Sequence, residues 1–388
     1  MKKIVLLYDF LKEPGGLERV MATQAQCLQK KYETILSFAF LEPHGEASKL
    51  FQGSNFITHG RFFRDINLRI MLSFLFPRVE HANLYVSHSF ICSTIAYRQK
   101  LFYRRPYFIY LHHPPLFLHL PSRERRVWSK AAIYRRISFF VGFLGGFLLR
   151  PLDKFVVKQA DKIFVNSNYT KKRIQKIYGR EAIVCYPSLS DRFKLLPEKK
   201  VNKLLRKFQL PKVFALSGGR VIPDKRFDWL LEIFSYLKIP LVIVGSVEEN
   251  YKKNLLQISK KLDVDARFLG FVSFEELIAL YNKAEVFCFT SPSEDFGLVP
   301  IEAMACGTPV VAWNDNAGPS ESVIEGVNGF LARPYDRRDF AEKVKIIFTE
   351  GLKKKDHKKI LDSIKKFREE IALKPFHDSI EKTFKNRI

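Results

Sequence analysis

The sequence predicts an α/β protein built of two doubly wound, Rossmann-like domains in tandem, and three observations carry that expectation. Short runs rich in Val, Ile, Phe and Tyr alternate with stretches whose apolar residues recur every three or four positions, as parallel sheets covered by helices require. The alternation breaks once, over 190–212, where "SDRFKLLPEKKVNKLLRKFQLPK" interposes charges and prolines. A chain of 388 residues is also longer than one small core normally serves.

In chain order, the first series of strands is expected at 3–10, 32–40, 83–89, 107–113 and 162–167. The second is expected at 213–219, 241–246, 266–272, 286–291 and 309–313. Each is a run of four to nine residues in which β-branched and aromatic side chains dominate, as buried strands require. Helices fit between them; 226–237 and 274–284 have the clearest helical period. The expected domains are 1–205 and 206–365, followed by a basic helical tail, 366–388, packing back toward the first domain.

Composition excludes several classes. An apolar fraction of 47 % argues against disorder. Five scattered cysteines (Cys27, Cys92, Cys185, Cys288, Cys306) without a C-x-x-C pair argue against a disulfide frame or a structural zinc and for a reducing compartment. The opening "MKKIVLLYDF" is too short an apolar run for a signal peptide and reads as a first buried strand. The longest near-apolar stretch, 137–149, falls short of the ~20 residues of a spanning helix, so no membrane crossing is expected.

Charge is uneven. Residues 1–200 hold 34 Lys and Arg against 14 Asp and Glu, whereas 201–388 hold 31 against 26; within 98–180 the ratio is 19 to 3. An anionic partner for the first half follows. Its mixture of cations with Phe, Trp, Ile and Leu suits anionic lipid headgroups. A solvated basic face beside an ordinary core helix competes with that reading, and no nucleic-acid-binding module is present.

In doubly wound sheets ligands bind beyond the carboxyl ends of the strands, and every motif of interest falls at such an end. "SEDFGLVPIEAMACGTPVVAW" (293–313) places Glu294 in a loop and Glu302 in the expected first turn of a helix that holds Pro300 and ends before Gly307. The N–H groups of Phe296, Gly297 and Leu298 at that helix start suit an anion such as a diphosphate, and the flanking carboxylates suit sugar hydroxyls. The bland alternative is one acid favouring a positive helix end and one solvated acid. In "LSGGRVIPDKRFDWLL" (216–231), Arg220 and Lys225 follow Gly218 and Gly219, and such cations can clamp a diphosphate; alone they would be surface charges. "PGGLER" (14–19) follows the first strand, and Gly15 and Gly16 there suit a helix start near phosphate or acceptor, or simply a turn. "YLHHPP" (110–115) closes another strand. Its adjacent histidines point to opposite sides, so one at most faces a ligand, and with no third ligand at sensible spacing metal independence is expected.

With these residues in view, 294–312 resembles the E-x7-E signature of retaining glycosyltransferases of family 4 (the group 1 glycosyltransferases), which have the GT-B fold of two Rossmann-like domains facing across a cleft. The likeness extends through "AGPSESVIEGVNGFLA" (317–332), is strongest over 213–332 and is weaker before 205. "GRVIPDK" is similar to the family's G-R-x-x-x-x-K segment. "YLHHPP" resembles the Y-x-H-x-P of its mannosyltransferases, which picks out His112 over His113.

The resemblance implies that Glu302 accepts ribose hydroxyls and Glu294 the hydroxyls of the donor sugar, while Arg220 and Lys225 hold the diphosphate. Phe296, Gly297, Leu298, Val299 and Gly219 would line the donor site, with backbone near Phe271 and Val272 against the base. Gly15, Gly16 and His112 would line the acceptor side of the cleft. It also implies transfer with retention by front-face attack and no metal or other cofactor. The donor would be a nucleoside diphosphate hexose, GDP-mannose ahead of uridine donors, and the acceptor a saccharide or a polyprenyl-linked saccharide. The expected location is the cytoplasm, peripheral to the inner face of the cytoplasmic membrane. Glu285, where the family often has Asp, and a tail lacking the usual aromatic pair are departures. A sugar-nucleotide epimerase on the same fold and a non-catalytic basic binding protein are the competing readings.

Overall fold

The computed structural model describes residues 1–11, 15–41, 50–51, 53–58, 79–119, 146–147, 149–355 and 357–386. The chain divides into two compact units, Met1–Ser188 with Ala372–Ile388, and Leu189–Ile371.

The first unit carries seven parallel strands: β1 (Lys3–Leu11), β2 (Glu33–Leu41), β3 (Asn55–Thr58), β4 (Leu84–Ser87), β5 (Tyr107–Leu111), β6 (Lys162–Val165) and β7 (Ile183–Val184), in the order β3-β2-β1-β4-β5-β6-β7. Both β4 and β5 are buried along their whole length, because helices cover both faces of a parallel sheet. Tyr85, Tyr107, Ile109, Ile163 and Tyr178 pack one face of this core.

The second unit carries six parallel strands: β8 (Ala215–Gly218), β9 (Leu241–Val244), β10 (Ala266–Gly270), β11 (Val286–Cys288), β12 (Val310–Trp313) and β13 (Gly329–Ala332), in the order β10-β9-β8-β11-β12-β13. Leu230, Phe234, Ile243, Val311, Trp313 and Phe340 fill its core. In each sheet the strand order reverses once, between β1 and β4 and between β8 and β11. A crevice for a ligand opens at such a reversal.

All ten expected strands are present; β3, β7 and β13 are additional. The division falls at 188/189 rather than at 205/206, because the Glu198–Leu205 helix packs on the Phe274–Lys283 helix and Leu196 N–H donates to Asn282 Oδ1 at 2.9 Å. At the other end, the Lys374–Lys385 helix buries Phe376, Ile380 and Phe384, spaced four apart so that they share one face. Phe376 meets Phe164 edge-on at 5.1 Å, Phe384 meets Tyr32 at 5.4 Å, and Lys31 pairs with Glu381 at 2.6 Å. These residues therefore group with the first unit.

Candidate functional site

In the second unit the candidate residues gather at the reversal between β8 and β11. After β8 the chain passes Arg220 and tightens into a 3-10 turn, Pro223–Lys225, then Arg226 adopts a left-handed conformation at φ 56° before the Phe227–Ser235 helix. That turn aims Lys225 at Glu294, which follows β11. The two form an ion pair with a short hydrogen bond, and Ser291 Oγ donates to the same carboxylate oxygen at 2.9 Å. Glu294 is 24 % exposed in its side chain. Burial alone would raise its carboxyl, but the charge and hydrogen bond of Lys225, the Ser291 hydroxyl and the charge of Arg220 together hold it below the ordinary range. A carboxylate ringed by two cations and a hydroxyl stays ionised and acts as a hydrogen-bond acceptor.

Neighbouring residues hold this pair in place. Thr290 Oγ1 reaches the carbonyls of Lys225 and Arg226 at 3.2 and 3.3 Å, tying the end of β11 to the cationic turn, and the buried indole of Trp313 donates to Thr290 O at 3.0 Å. Asp315, beyond β12, accepts from Ser293 N–H at 2.8 Å and Ala317 N–H at 3.1 Å; burial raises its carboxyl against these hydrogen bonds. Gly318 N–H donates to Glu294 O at 2.8 Å. A Cβ on Gly318 would meet Phe296 Cα at 2.2 Å, so the 317–321 segment seats backbone to backbone on the loop that carries Glu294.

The Leu298–Ala305 helix starts from Gly297, whose φ of 84° is costly for any side chain. This start corrects the expected helix position. Glu302 is its fifth residue, beyond the first turn, only 3 % exposed, and accepts from Tyr281 OH at 3.3 Å. Phe296 is buried and packs edge-on against Phe367 at 5.6 Å, while Leu298 and Val299 are half-buried. Gly219 follows β8 and donates to Val244 O at 3.0 Å. Beyond β10, Phe271 is 85 % exposed and Val272 is buried.

In the first unit, the Gly16–Gln29 helix begins after β1 with Gly15 as its cap. The Gly15 N–H, expected to face an anion, donates to Glu18 Oε2 at 3.0 Å, and Tyr8 OH holds Glu18 Oε1 at 2.9 Å. Asp9 is buried at the N-terminus of the Phe90–Tyr103 helix, accepting from Cys92 N–H at 2.9 Å and Ile91 N–H at 3.3 Å. Two helix starts beside this reversal thus carry carboxylates of the chain itself. His112, just after β5, is buried while His113 is exposed. His112 Nε2 lies 3.4 Å from Nδ1 of His88, which follows β4.

Ser291, Thr290, Asp315 and His88 are absent from the sequence reading, although each lies at or just beyond a strand's carboxyl end. That position was the usable signal; none falls in a recognised motif.

Two doubly wound units of this kind define the GT-B class of fold. Residues 198–367 match the family model described as Glycosyl transferases group 1, and 14–188 match that of Glycosyltransferase Family 4. The chain belongs to glycosyltransferase family 4. It is 33 % identical over 208 residues to an uncharacterized glycosyltransferase of Haemophilus influenzae, covering 52 % of this chain and 55 % of that protein. To the alpha-1,3/1,6-mannosyltransferase ALG2 of Mus musculus it is 30 % identical over 253 residues, covering 54 % and 58 %. The matches therefore span just over half the length of these relatives. HepE of Anabaena, solved in complex with UDP and glucose, superposes with a TM-score of 0.77 at 19 % identity, covering 98 % of this chain and all of that one.

The lowered Glu294 carboxyl has a consequence for stability. Its ionised form stabilises the fold above the unfolded value of about 4.3, and this contribution is lost as the pH falls through its own lower value. Urea midpoints measured between about pH 5 and pH 3 should therefore fall more steeply for the wild type than for Glu294→Gln. Equal slopes would mean that Lys225 and Arg220 do not hold the carboxylate.

Proposed function

We propose that the protein is a retaining glycosyltransferase moving a hexose, with mannose favoured, from a nucleoside diphosphate sugar to a saccharide or polyprenyl-linked saccharide. The observation that carries this is the Lys225–Glu294 pair with Arg220 beside it, at the β8/β11 reversal. A diphosphate leaving group needs cations where its charge grows, and a sugar needs an ionised acceptor for its hydroxyls. The pair puts both within one hydrogen bond of each other.

In this mechanism Lys225 and Arg220 bind the diphosphate and stabilise it as the anomeric C–O bond breaks. The acceptor oxygen bonds to the same face of the anomeric carbon, and its proton passes to the departing phosphate oxygen. Glu294 orients the donor sugar, Glu302 takes the ribose hydroxyls, and the exposed ring of Phe271 offers an apolar face beside the base. The N–H groups from Gly297 to Val299 face the phosphates, and Gly15, Gly16 and His112 serve the acceptor. The two side-chain cations take the part that a divalent ion plays elsewhere, so the reaction is proposed to be metal-independent. Mannose is favoured because "YLHHPP" is mannosyltransferase-like and because the similar ALG2 is named for mannosyl transfer; uridine donors remain the competing choice.

Transfer from GDP-mannose and UDP-hexoses, assayed in EDTA, should fall roughly 10²–10³-fold in Lys225→Ala and Glu294→Gln, with melting temperatures near that of the wild type. Wild-type turnover in both folded variants would refute the assignment.

An anionic lipid surface is proposed as the first unit's partner. The basic segment 121–145 lies outside the described residues. Next to it in sequence, the helix over 149–159 meets the Phe90–Tyr103 helix through Phe155 and Tyr97, rings 5.4 Å apart. Leu101, Phe102 and Phe155 are 61 %, 67 % and 47 % exposed, and Arg105, Lys154 and Lys158 are exposed nearby. Apolar side chains among cations suit the interface of a charged bilayer. Among the described residues no helix is long and apolar enough to cross a membrane. The protein should float with vesicles containing phosphatidylglycerol, be released by salt, and bind more weakly as Leu101→Ser/Phe102→Ser; binding that is absent or indifferent to lipid charge would contradict this.

A further inference from the structure

The geometry points to His88 as a positioning residue that fixes the tautomer of His112, so that His112 offers Nδ1–H as a hydrogen-bond donor. The two residues follow the neighbouring parallel strands β4 and β5, and His88 Nδ1 lies 3.4 Å from His112 Nε2. Tyr110 sets the ring planes: it stacks on His88 at 5.6 Å and 22°, and its own hydroxyl is anchored to Cys185 O at 2.5 Å. Asn166 Nδ2 donates to His112 O at 3.0 Å, fixing the backbone there.

The proton count follows from the one atom left over. Among the described residues, His88 Nε2 is buried without a hydrogen-bond partner. Burial holds the His88 imidazole down to about 3, and burial with the neighbouring His88 and His113 holds His112 well below the usual range; both rings are therefore neutral and carry one proton each. If His88 carried its proton on Nε2, a polar N–H would be stranded in the core. If it carries the proton on Nδ1, that N–H is satisfied by His112 Nε2 and only an acceptor lone pair goes unmet. Leaving a buried donor unmade is the expensive choice, so His88 donates. His112 Nε2 must then accept, which forces the His112 proton onto Nδ1, the nitrogen left for an outside partner. That partner is a hydroxyl or carboxylate oxygen. Its identity as sugar rests on the proposed transferase activity; the tautomer does not.

Long-range 1H–15N correlation spectra, with His112 assigned by its loss in His112→Phe, read the tautomer directly and need no substrate. Nδ1–H on both His88 and His112 is the expected result. A wild-type spectrum with His112 protonated on Nε2 overturns the proposal, whether or not His88→Phe folds. In folded His88→Phe, His112 should lose its fixed Nδ1–H, and turnover should fall at least tenfold with partial rescue by His88→Asn, whose amide can still donate. A fixed Nδ1–H on His112 that persists without His88 would also overturn it. A protein with the expected tautomer and no transfer activity would instead remove the transferase reading.

Discussion

The ion pair between Lys225 and Glu294 joins two loops that the chain separates by three helices and three strands, and the organisation of the second unit follows from keeping it. Two side chains of opposite charge, each about a quarter exposed, would contribute little on an open surface. Here Ser291 and Arg220 also bear on the carboxylate, and the backbone on both sides is tied down. Thr290 bonds to the carbonyls of the cationic turn, and Asp315 and Gly318 fix the loop around Glu294. The residues that do this lie just beyond β8, β11 and β12, all at one end of one sheet. A ligand arriving there meets charges already in position, so little reorganisation is needed.

The first unit solves the same topological problem with different chemistry. Its reversal point lies between β1 and β4, but the helix starts there are met by the protein's own Asp9 and Glu18. The polar groups just beyond β4 and β5 are two neutral imidazoles. Such a site offers directed hydrogen bonds without net positive charge, which suits hydroxyl groups better than phosphate. The contrast supports the proposed division of labour, in which the second unit binds the charged donor and the first an acceptor.

Much of this was legible in the sequence, for a physical reason. Strands covered on both faces must be apolar along their length, so β1, β4, β5, β9 and β12 stand out as runs. β3, β7 and β13 lie at sheet edges; β7 is half-buried throughout and β13 in its middle, so neither needs a continuous apolar run. Arg220, Lys225 and Glu294 were found because family spacing marks them. Glu302 is expected in the first turn because Pro300 reads as the mark of the helix start, whereas the glycine at φ 84° sets the start earlier, so that Pro300 is the third residue and Glu302 the fifth. Asp315, Ser291 and His88 escaped because their importance lies in what the fold brings beside them, and no spacing along the chain encodes that.

The most direct measurement of the central claim is the melting temperature of wild type and Lys225→Ala with GDP, UDP, GDP-mannose and UDP-hexoses, without metal and with magnesium. A ligand at one hundred times its dissociation constant stabilises the folded state by about 2.7 kcal/mol. The account predicts a metal-independent rise for at least one nucleoside diphosphate or its sugar, largely lost in the variant. A wild-type protein indifferent to every nucleotide, or a shift undiminished without Lys225, would contradict it.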